Sequence, residues 1–259
     1  MSNYRIFIGK EIVEIVRTKR FFVLTCVFLF FAFASPLLAR YLTEFIVMMM
    51  PTEDAALVTP FMTEPVWQDG YIQFYSNISQ VGLITVILLF MGVVLDEKKK
   101  DTAALMMMKG LSHTGFVMAK FTVMAAAAFV VVIISVLIAH LYTFILFGTA
   151  ASAGDLMSGA LINLLGIFFV LSFVIFCSTI AKSTAMSAIL GFLVYMLIII
   201  VEAIPRIGSF SPSVMLLTRP IGATTGVLHE HLPVNILITA ALTAVFLVLS
   251  INILKKNEM

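Results

Sequence analysis

The chain alternates between long apolar runs and shorter polar connections, and the runs set its architecture. Six of them reach the roughly 20 residues that a helix needs to cross a bilayer: Phe21–Ala39, Ile78–Leu95, Phe116–Phe147, Leu156–Ala181, Ala185–Ile204 and Pro233–Leu254. The third and fourth exceed one crossing, and tilt or continuation into water absorbs the excess. Two longer connections, Arg40–Asn77 and Pro205–Leu232, follow the first and fifth runs. Pro51, Pro60 and Pro65 argue against long helices in the former, although Tyr41–Met50 can extend the first helix or lie on the lipid surface. The latter is rich in Gly, Pro and Ser and partly apolar. It is expected to dip back as short broken helices, which a membrane tolerates only under cover of protein or a water-filled cavity. Ahead of the first run, residues 1–20 pattern as an amphipathic helix. Ile6, Ile8, Ile12, Val13, Ile15 and Val16 fall on one side, and Lys10, Glu11, Glu14, Arg17 and Thr18 on the other. Arg5 and Phe7 spoil the pattern near its free end. Such a helix lies on the membrane surface and orients the first span; a strut that touches a soluble partner is compatible with the same pattern.

Composition agrees. Of 259 residues, 61% are hydrophobic and 12% charged, where a soluble domain carries about 25% charged residues. Mean hydropathy is +1.12. An ordinary cytosolic enzyme, a nucleic-acid-binding domain and a disordered chain are excluded. The fold class is therefore all-α integral membrane, a single domain over residues 1–259. Cys26 and Cys177 both lie in apolar runs and read as small buried hydrophobes rather than a disulfide framework. Ala32-Phe33-Ala34 before Ser35 looks like a signal-peptide cleavage site, but the preceding polar segment is too long for a secretory n-region and the apolar run continues beyond it.

Net charge is only +2, yet its distribution orients the chain. With the N-terminus in the cytoplasm, Arg5, Lys10, Arg17, Lys19, Arg20, Lys98, Lys99, Lys100, Lys109, Lys120, Lys182, Lys255 and Lys256 are inside. Of the 16 basic residues, only Arg40, Arg206 and Arg219 are outside. Six crossings return the C-terminus to the cytoplasm.

The connection between the second and third runs carries the most information. Asp96 and Glu97 precede Lys98, Lys99 and Lys100; a helix-favouring stretch then ends at Gly110, a suitable residue just past a helix C-terminus. Ser112 is placed to cap the third span. The result is a short charged helix held between two spans, able either to sit in solvent as a positive-inside loop or to transmit force from a soluble partner.

This connection resembles the cytoplasmic loop of ABC-2-type transporter permeases. The matching residues are Glu97, Lys98, Lys99, Asp101-Thr102, Leu105, Leu111-Ser112 and Lys120, with Asp101 where the family usually has glycine and methionines where it has some leucines. The amphipathic N-terminal helix, the six spans and the Phe210-Ser211-Pro212-Ser213 turn are similar to the family as well. The resemblance implies the membrane-spanning subunit of an ATP-driven exporter in the plasma membrane of a bacterial cell. Glu97, Lys98, Lys99, Asp101, Thr102, Leu105, Leu111 and Ser112 would form the segment that couples to the ATPase, and Lys10, Glu14 and Arg17 a second contact with it. The implied partners are a cytoplasmic ATP-binding-cassette subunit and a second permease subunit, identical or not. The sequence has no Gly-x-x-x-x-Gly-Lys-[Ser/Thr] phosphate loop, so this chain is not expected to be an enzyme or to bind a cofactor, and ATP and Mg belong to the partner.

Ser183, Ser187 and Gly191 recur every four residues and read as a face for close helix packing. Polar residues within the runs are few. His140 and Glu202 fall near outer ends, Glu202 with Arg206 close by; Asn163 can hydrogen-bond across helices. His229-Glu230-His231 lacks an evident third or fourth metal ligand. No intramembrane catalytic motif is present. A secondary transporter or channel is the alternative, but no repeat relates the two three-span halves and the midplane is very apolar. With 16 Met and 23 Phe, an amphipathic or hydrophobic cargo such as a peptide or drug suits the chain.

The charge split is testable. In a chain lacking Cys26 and Cys177, Glu53→Cys should react with an impermeant thiol reagent in intact cells and Lys99→Cys should not. The opposite labelling would invert the topology.

Overall fold

A computed structural model describes residues 2–49, 64–204, 207–227 and 230–257. Among these there is no strand. Helix α1 (Ser2–Arg17) leads through a bend at Lys19, whose φ is 59°, into α2 (Arg20–Met49), the first span. The second span is assembled from α3 (Trp67–Asn77), a π-helical turn at Ile78–Gly82 and α4 (Leu83–Phe90). Its end unwinds and reforms as α5 (Leu95–Lys99) and α6 (Thr102–Met108). Spans three to five are α7 (His113–Phe147), α8 (Ala153–Ile180) and α9 (Thr184–Glu202). Short 3-10 turns at Gly208–Phe210 and Pro212–Met215 and helix α10 (Thr218–Thr224) precede the sixth span, α11 (Leu232–Asn257). Among the described residues, six helices are long and apolar enough to cross a membrane. The protein is an all-helical, multi-pass membrane protein.

The first helix continues past Ala39 to Met49, the first of the two readings of that stretch. Trp67–Asn77, expected within an irregular connection, is helical. Gly70, Tyr71, Phe74 and Tyr75 bury one face of α3, while Gln68, Asp69, Gln73 and Ser76 occupy other positions and dilute the apolar signal. Pro65 stands just before the start rather than inside, and the Asp69 carboxylate accepts from the Val66 N–H at 2.9 Å. Pro51 and Pro60 lie outside the described residues.

The fourth span is the hub. In its most apolar window 78% of residues are buried, against 28%, 22% and 17% for spans one, five and six. Gly159, Asn163 and Gly166 share one face of α8, and the segment before the sixth span folds back onto it. The Asn163 amide donates to the Leu216 carbonyl at 2.9 Å. A Cβ on Gly159 would lie 2.8 Å from the Pro220 carbonyl, and one on Gly166 would lie 2.7 Å from the Leu216 side chain. Gly166 is about 20 Å along α8 from its start, at 1.5 Å per residue, so the short helices do dip back alongside the span. Ser211 caps the Pro212 turn and also donates to the Ile198 carbonyl at 3.1 Å. Pro205, Arg206 and His229 lie outside the described residues, and with them the Glu202–Arg206 pairing and the His229-Glu230-His231 cluster.

The second span is interrupted twice, and other spans satisfy the freed groups. At the π-helical turn the Ser79 carbonyl accepts from the Tyr195 hydroxyl of α9 at 2.5 Å. Between α4 and α5, the Ser178 hydroxyl of α8 accepts from the Val94 and Leu95 N–H groups at 3.0 and 3.2 Å. Ser187, Gly191 and Tyr195 are the buried side of α9, with Gly191 close to Ile87 of α4. Ser183 does not join that packing face. It is exposed and caps α9, accepting from the Met186 N–H at 3.1 Å, because it precedes the first helical turn. Cys177 is buried as expected, whereas Cys26 is exposed on the outward side of α2. His140 is held through its Nδ1 by the Tyr71 hydroxyl at 2.8 Å.

Gly159→Ala tests the refolded segment. The methyl group collides with Thr224 and the Pro220 backbone, so destabilisation of about 1–3 kcal/mol is expected from overpacking, read as a lowered unfolding midpoint in detergent. Gly154→Ala, where only the Ser152 hydroxyl comes within 4 Å of an added Cβ, should leave the midpoint unchanged.

Candidate functional site

Helix α1 and the start of α7 run side by side in the same direction. Tyr4 reaches Gly115, Phe7 stacks on Phe116 with ring centroids 5.4 Å apart, and Glu11 meets Lys120. The face of α1 turned to the protein is Phe7, Glu11 and Ile15, one residue per turn, all buried. The branched aliphatics Ile6, Ile12, Val13 and Val16 face outward. Phe7, which breaks the amphipathic pattern in the sequence, is the apolar anchor, and of the aliphatic side Ile15 is buried with it.

Lys120 sits seven residues inside α7 with no exposed surface. Its ammonium donates to both oxygens of Glu11 at 3.0 Å and lies 3.2 Å from Oε1 of Glu97. Lys10 joins from α1, bonded to Glu97, to Glu14 at 2.8 Å and to Glu11 at 3.0 Å. Glu97 itself is 5% exposed. Three elements that are distant in sequence, α1, α5 and α7, thus meet in one ion network. Arg20 and Asp96 add a longer contact of 3.6 Å beside it. Phe7 and Phe116 place their rings against the Lys120 ammonium at 5.7 and 5.1 Å, a favourable use of a ring face where water is excluded.

The titrations follow from this crowding. Burial disfavours the Lys10 ammonium, but its bonds to Glu14 and Glu97 and the charge of Glu11 outweigh that, and its pKa is raised. Burial raises the Glu11 carboxyl despite Lys120 and Lys10. Glu14, less buried, is held below its ordinary value by Lys10, against its own desolvation. Three carboxylates share two ammonium groups here, and one oxygen of Glu97 is buried without a partner.

Oxygens of Glu11, Glu14 and Glu97 come within 4.8 Å of one another, a spacing that suits a cation. The Lys10 ammonium lies among them and bonds to all three. A cavity of about 10 Å³ lined by Glu11, Glu14, Arg20 and Lys120 adjoins it, room for a water but not for cargo.

The connecting segment is two helices rather than one. Asp101 separates α5 from α6 with a left-handed φ of 54°, a conformation glycine adopts freely and aspartate tolerates. Thr102 donates to the Glu97 carbonyl at 3.1 Å and Lys98 to the Thr179 carbonyl at 3.1 Å, so the connection is also tied to the end of α8. Gly110 ends the segment at φ 87°, and Ser112 caps α7, accepting from the Gly115 N–H at 3.0 Å. Leu111 is buried; Lys99, Lys100, Asp101, Leu105, Met108 and Ser112 are exposed.

Of the residues expected to contact a partner, Glu97, Lys10 and Glu14 are engaged within the chain, and Lys98 and Thr102 are bonded to backbone. Lys99, Asp101, Leu105 and Arg17 remain on the surface. In the sequence Glu11 belongs to the polar side of α1, and Lys120 to the inside basic residues and to the stretch that carries the family resemblance. Lys120, set among apolar residues, signals a buried acidic partner, but the sequence does not point to Glu11 as that partner.

Residues 22–259 match a family described as protein of unknown function (DUF2705). The chain belongs to that family. No curated protein matches the sequence. The family's match begins just after α1, so it covers all six spans, α5, α6 and Lys120, but not Lys10, Glu11 or Glu14.

The charge count makes an asymmetric prediction. Lys120→Met leaves three carboxylates around one lysine and should destabilise by about 3–5 kcal/mol, the cost of an uncompensated buried charge. Glu11→Gln leaves two carboxylates with two lysines and should cost clearly less. Unfolding midpoints of the two purified variants decide it.

Proposed function

We propose that this chain is the membrane-spanning subunit of an ATP-driven ABC-2-type transporter, with ATP hydrolysed by a separate cytoplasmic subunit and both chain termini on that side. The observation that carries the reading is the ion network that ties α5, at the end of the second span, to α1 and to the third span. A device that converts motion of a soluble partner into motion of spans needs a surface for the partner and a stiff link behind it. Lys99, Lys100, Asp101 and Leu105 offer the surface. Between α1 and α6 lies a groove of about 150 Å³ lined by Ile6, Phe7, Lys10, Met106, Lys109 and Leu111. Its lining is mostly apolar, which suits an apolar side chain of the partner. Behind that surface, Glu97 and Lys120 transmit displacement to α7.

In this reading the ion pairs of Glu97, Lys10 and Glu14 within the chain change their part in the mechanism. They act as positioning residues that hold the coupling surface to the spans, while the exposed residues of α6 meet the ATPase. A second permease subunit completes the passage, and the chain works as an exporter of an amphipathic or hydrophobic cargo.

A flexible Gly-Ser pair inserted after Lys109 tests the link. The reconstituted complex should still assemble and hydrolyse ATP, but lose transport, because α6 is no longer fixed relative to α7. Transport at the parental rate would reduce the segment to a solvated connection. ATP hydrolysis by the purified chain free of any partner would overturn the assignment itself.

A further inference from the structure

The ion cluster of α1, α5 and α7 is short of positive charge. Glu11, Glu14 and Glu97 contribute three negative charges, and Lys10 and Lys120 two positive ones. Arg20 of α2 and Asp96 of α5 stand beside it and add one charge of each sign, so the deficit stays at one. At a surface, water and salt would screen such an imbalance. Here Glu11, Glu97 and Lys120 are all buried. An excess carboxylate at that depth is strongly disfavoured, and it is neutralised by a further cation or by a proton.

Geometry separates the two. The space among the three carboxylates is filled by the Lys10 ammonium, bonded to each of them, and the adjoining cavity measures about 10 Å³. A metal ion has to displace Lys10, whereas a proton needs no space. One carboxylate oxygen is also free to carry it. Oε2 of Glu97 is buried and has no hydrogen-bond partner, while both oxygens of Glu11 accept from Lys120. Glu11 and Glu97 share Lys120 and Lys10, so they titrate as a unit rather than as separate groups. Burial holds the Glu11 carboxyl above its ordinary value; Lys120 and Lys10 oppose the rise and the charge of Glu97 adds to it. Protons reach the pair from water by way of Glu14 and Lys10, whose side chains are partly exposed.

The geometry points to the Glu11–Glu97 pair as a proton-binding site, occupied by one proton in the folded protein and emptied as pH rises. The proton comes from solvent and adds to a carboxylate oxygen; no other bond changes. With it bound the cluster is neutral and α1 is held against α5 and α7. Once it leaves, one carboxylate is in excess, and repulsion between Glu11 and Glu97 acts across the joint of α1 with α5. The hold of the N-terminal helix on the spans therefore weakens with rising pH. Nothing in this site requires an ATPase, so it stands apart from the transport reading.

The sign follows from linkage. A carboxyl whose folded-state value is raised binds its proton more tightly in the folded chain than in the unfolded one, so stability falls as pH rises from the ordinary carboxylate value through the folded one. Glu14, held low by Lys10, acts in the opposite sense and below that range. Lys109, which lines the groove beside Lys10, and His113, two turns before Lys120 on α7, carry further titratable groups near the cluster. They are common to parent and variants and cancel in a comparison.

The test follows the unfolding midpoint of the full chain in detergent from about pH 5 to about pH 8. The parent's folding equilibrium should weaken with rising pH, by up to about tenfold per pH unit, the limit for one proton. Glu11→Gln and Glu97→Gln each remove the excess carboxylate, and both should flatten the profile, whereas Glu44→Gln, on the exposed end of α2, should keep the parent's slope. The parent should also show the infrared C=O stretch of a protonated carboxyl at about pH 6, and either cluster variant should lose it. Variants with the parent's slope, or with the band intact, overturn the site. A parent midpoint that rises with added magnesium chloride at about pH 8, in a way that both cluster variants lack, assigns the missing charge to a metal ion and overturns it as well. If neither cluster variant folds, the parent alone decides: a flat profile with no protonated-carboxyl band overturns the site.

Discussion

An ammonium group with no access to water is the constraint around which one end of this molecule is organised. Desolvating an ion costs several kcal/mol even after the protein relaxes, and the cost is met only by opposite charge in good geometry. Lys120 lies inside α7, so the compensation must come from elsewhere in the chain. Glu11 supplies it from α1 and Glu97 from α5. Each of these carboxylates is then itself buried and needs a cation, which Lys10 provides. One buried lysine thus fixes the position of the N-terminal helix and of the connection after the second span. Phe7 and Phe116 complete the enclosure by covering Lys120 with ring faces rather than with water.

The remainder of the bundle handles interrupted backbone by a related logic. The second span breaks at its π-helical turn and again at residues 91–94, and each break frees polar backbone groups that lipid cannot satisfy. Tyr195 and Ser178, from the fifth and fourth spans, take them up. The fourth span meets the ion-network end through Ser178 and Thr179, and the refolded segment before the sixth span through Gly159, Asn163 and Gly166. Its high burial follows from these duties at both ends. Spans one, five and six, which serve fewer internal partners, keep broad apolar faces outward.

The sequence made the six crossings legible because each is a long apolar run, and the caps at Ser112 and Gly110 because their chemistry is local. What it concealed was long-range or conformational. The helix at Trp67–Asn77 was hidden because its buried face is spaced by Gln, Asp and Ser, so an average over the window looks like a connection. Ser183 fitted a four-residue repeat but falls on the cap position, where its hydroxyl has a different use. The left-handed turn at Asp101 divides what reads as one helix, and no propensity rule specifies aspartate there over several alternatives. The ion network was the least legible feature. Glu11 sits on the charged side of a helical wheel with Lys10 and Glu14, and nothing in a wheel distinguishes a carboxylate that faces water from one that faces a lysine 109 residues away.

That geometry also bears on how a displacement would travel. A contact made only of apolar side chains can slide, because one methyl group replaces another at little cost. A buried ion pair cannot, since any shift that separates Glu97 from Lys120 leaves both charges desolvated with less attraction to offset it. The steepness of that penalty opposes separation of α1, α5 and the start of α7. The bend at Lys19 and the unwound residues 91–94 lie immediately beyond the network, where the first and second spans begin and end. The stiffness of the charged cluster follows from the burial of a single lysine, and the backbone is interrupted on either side of it, at Lys19 and at residues 91–94.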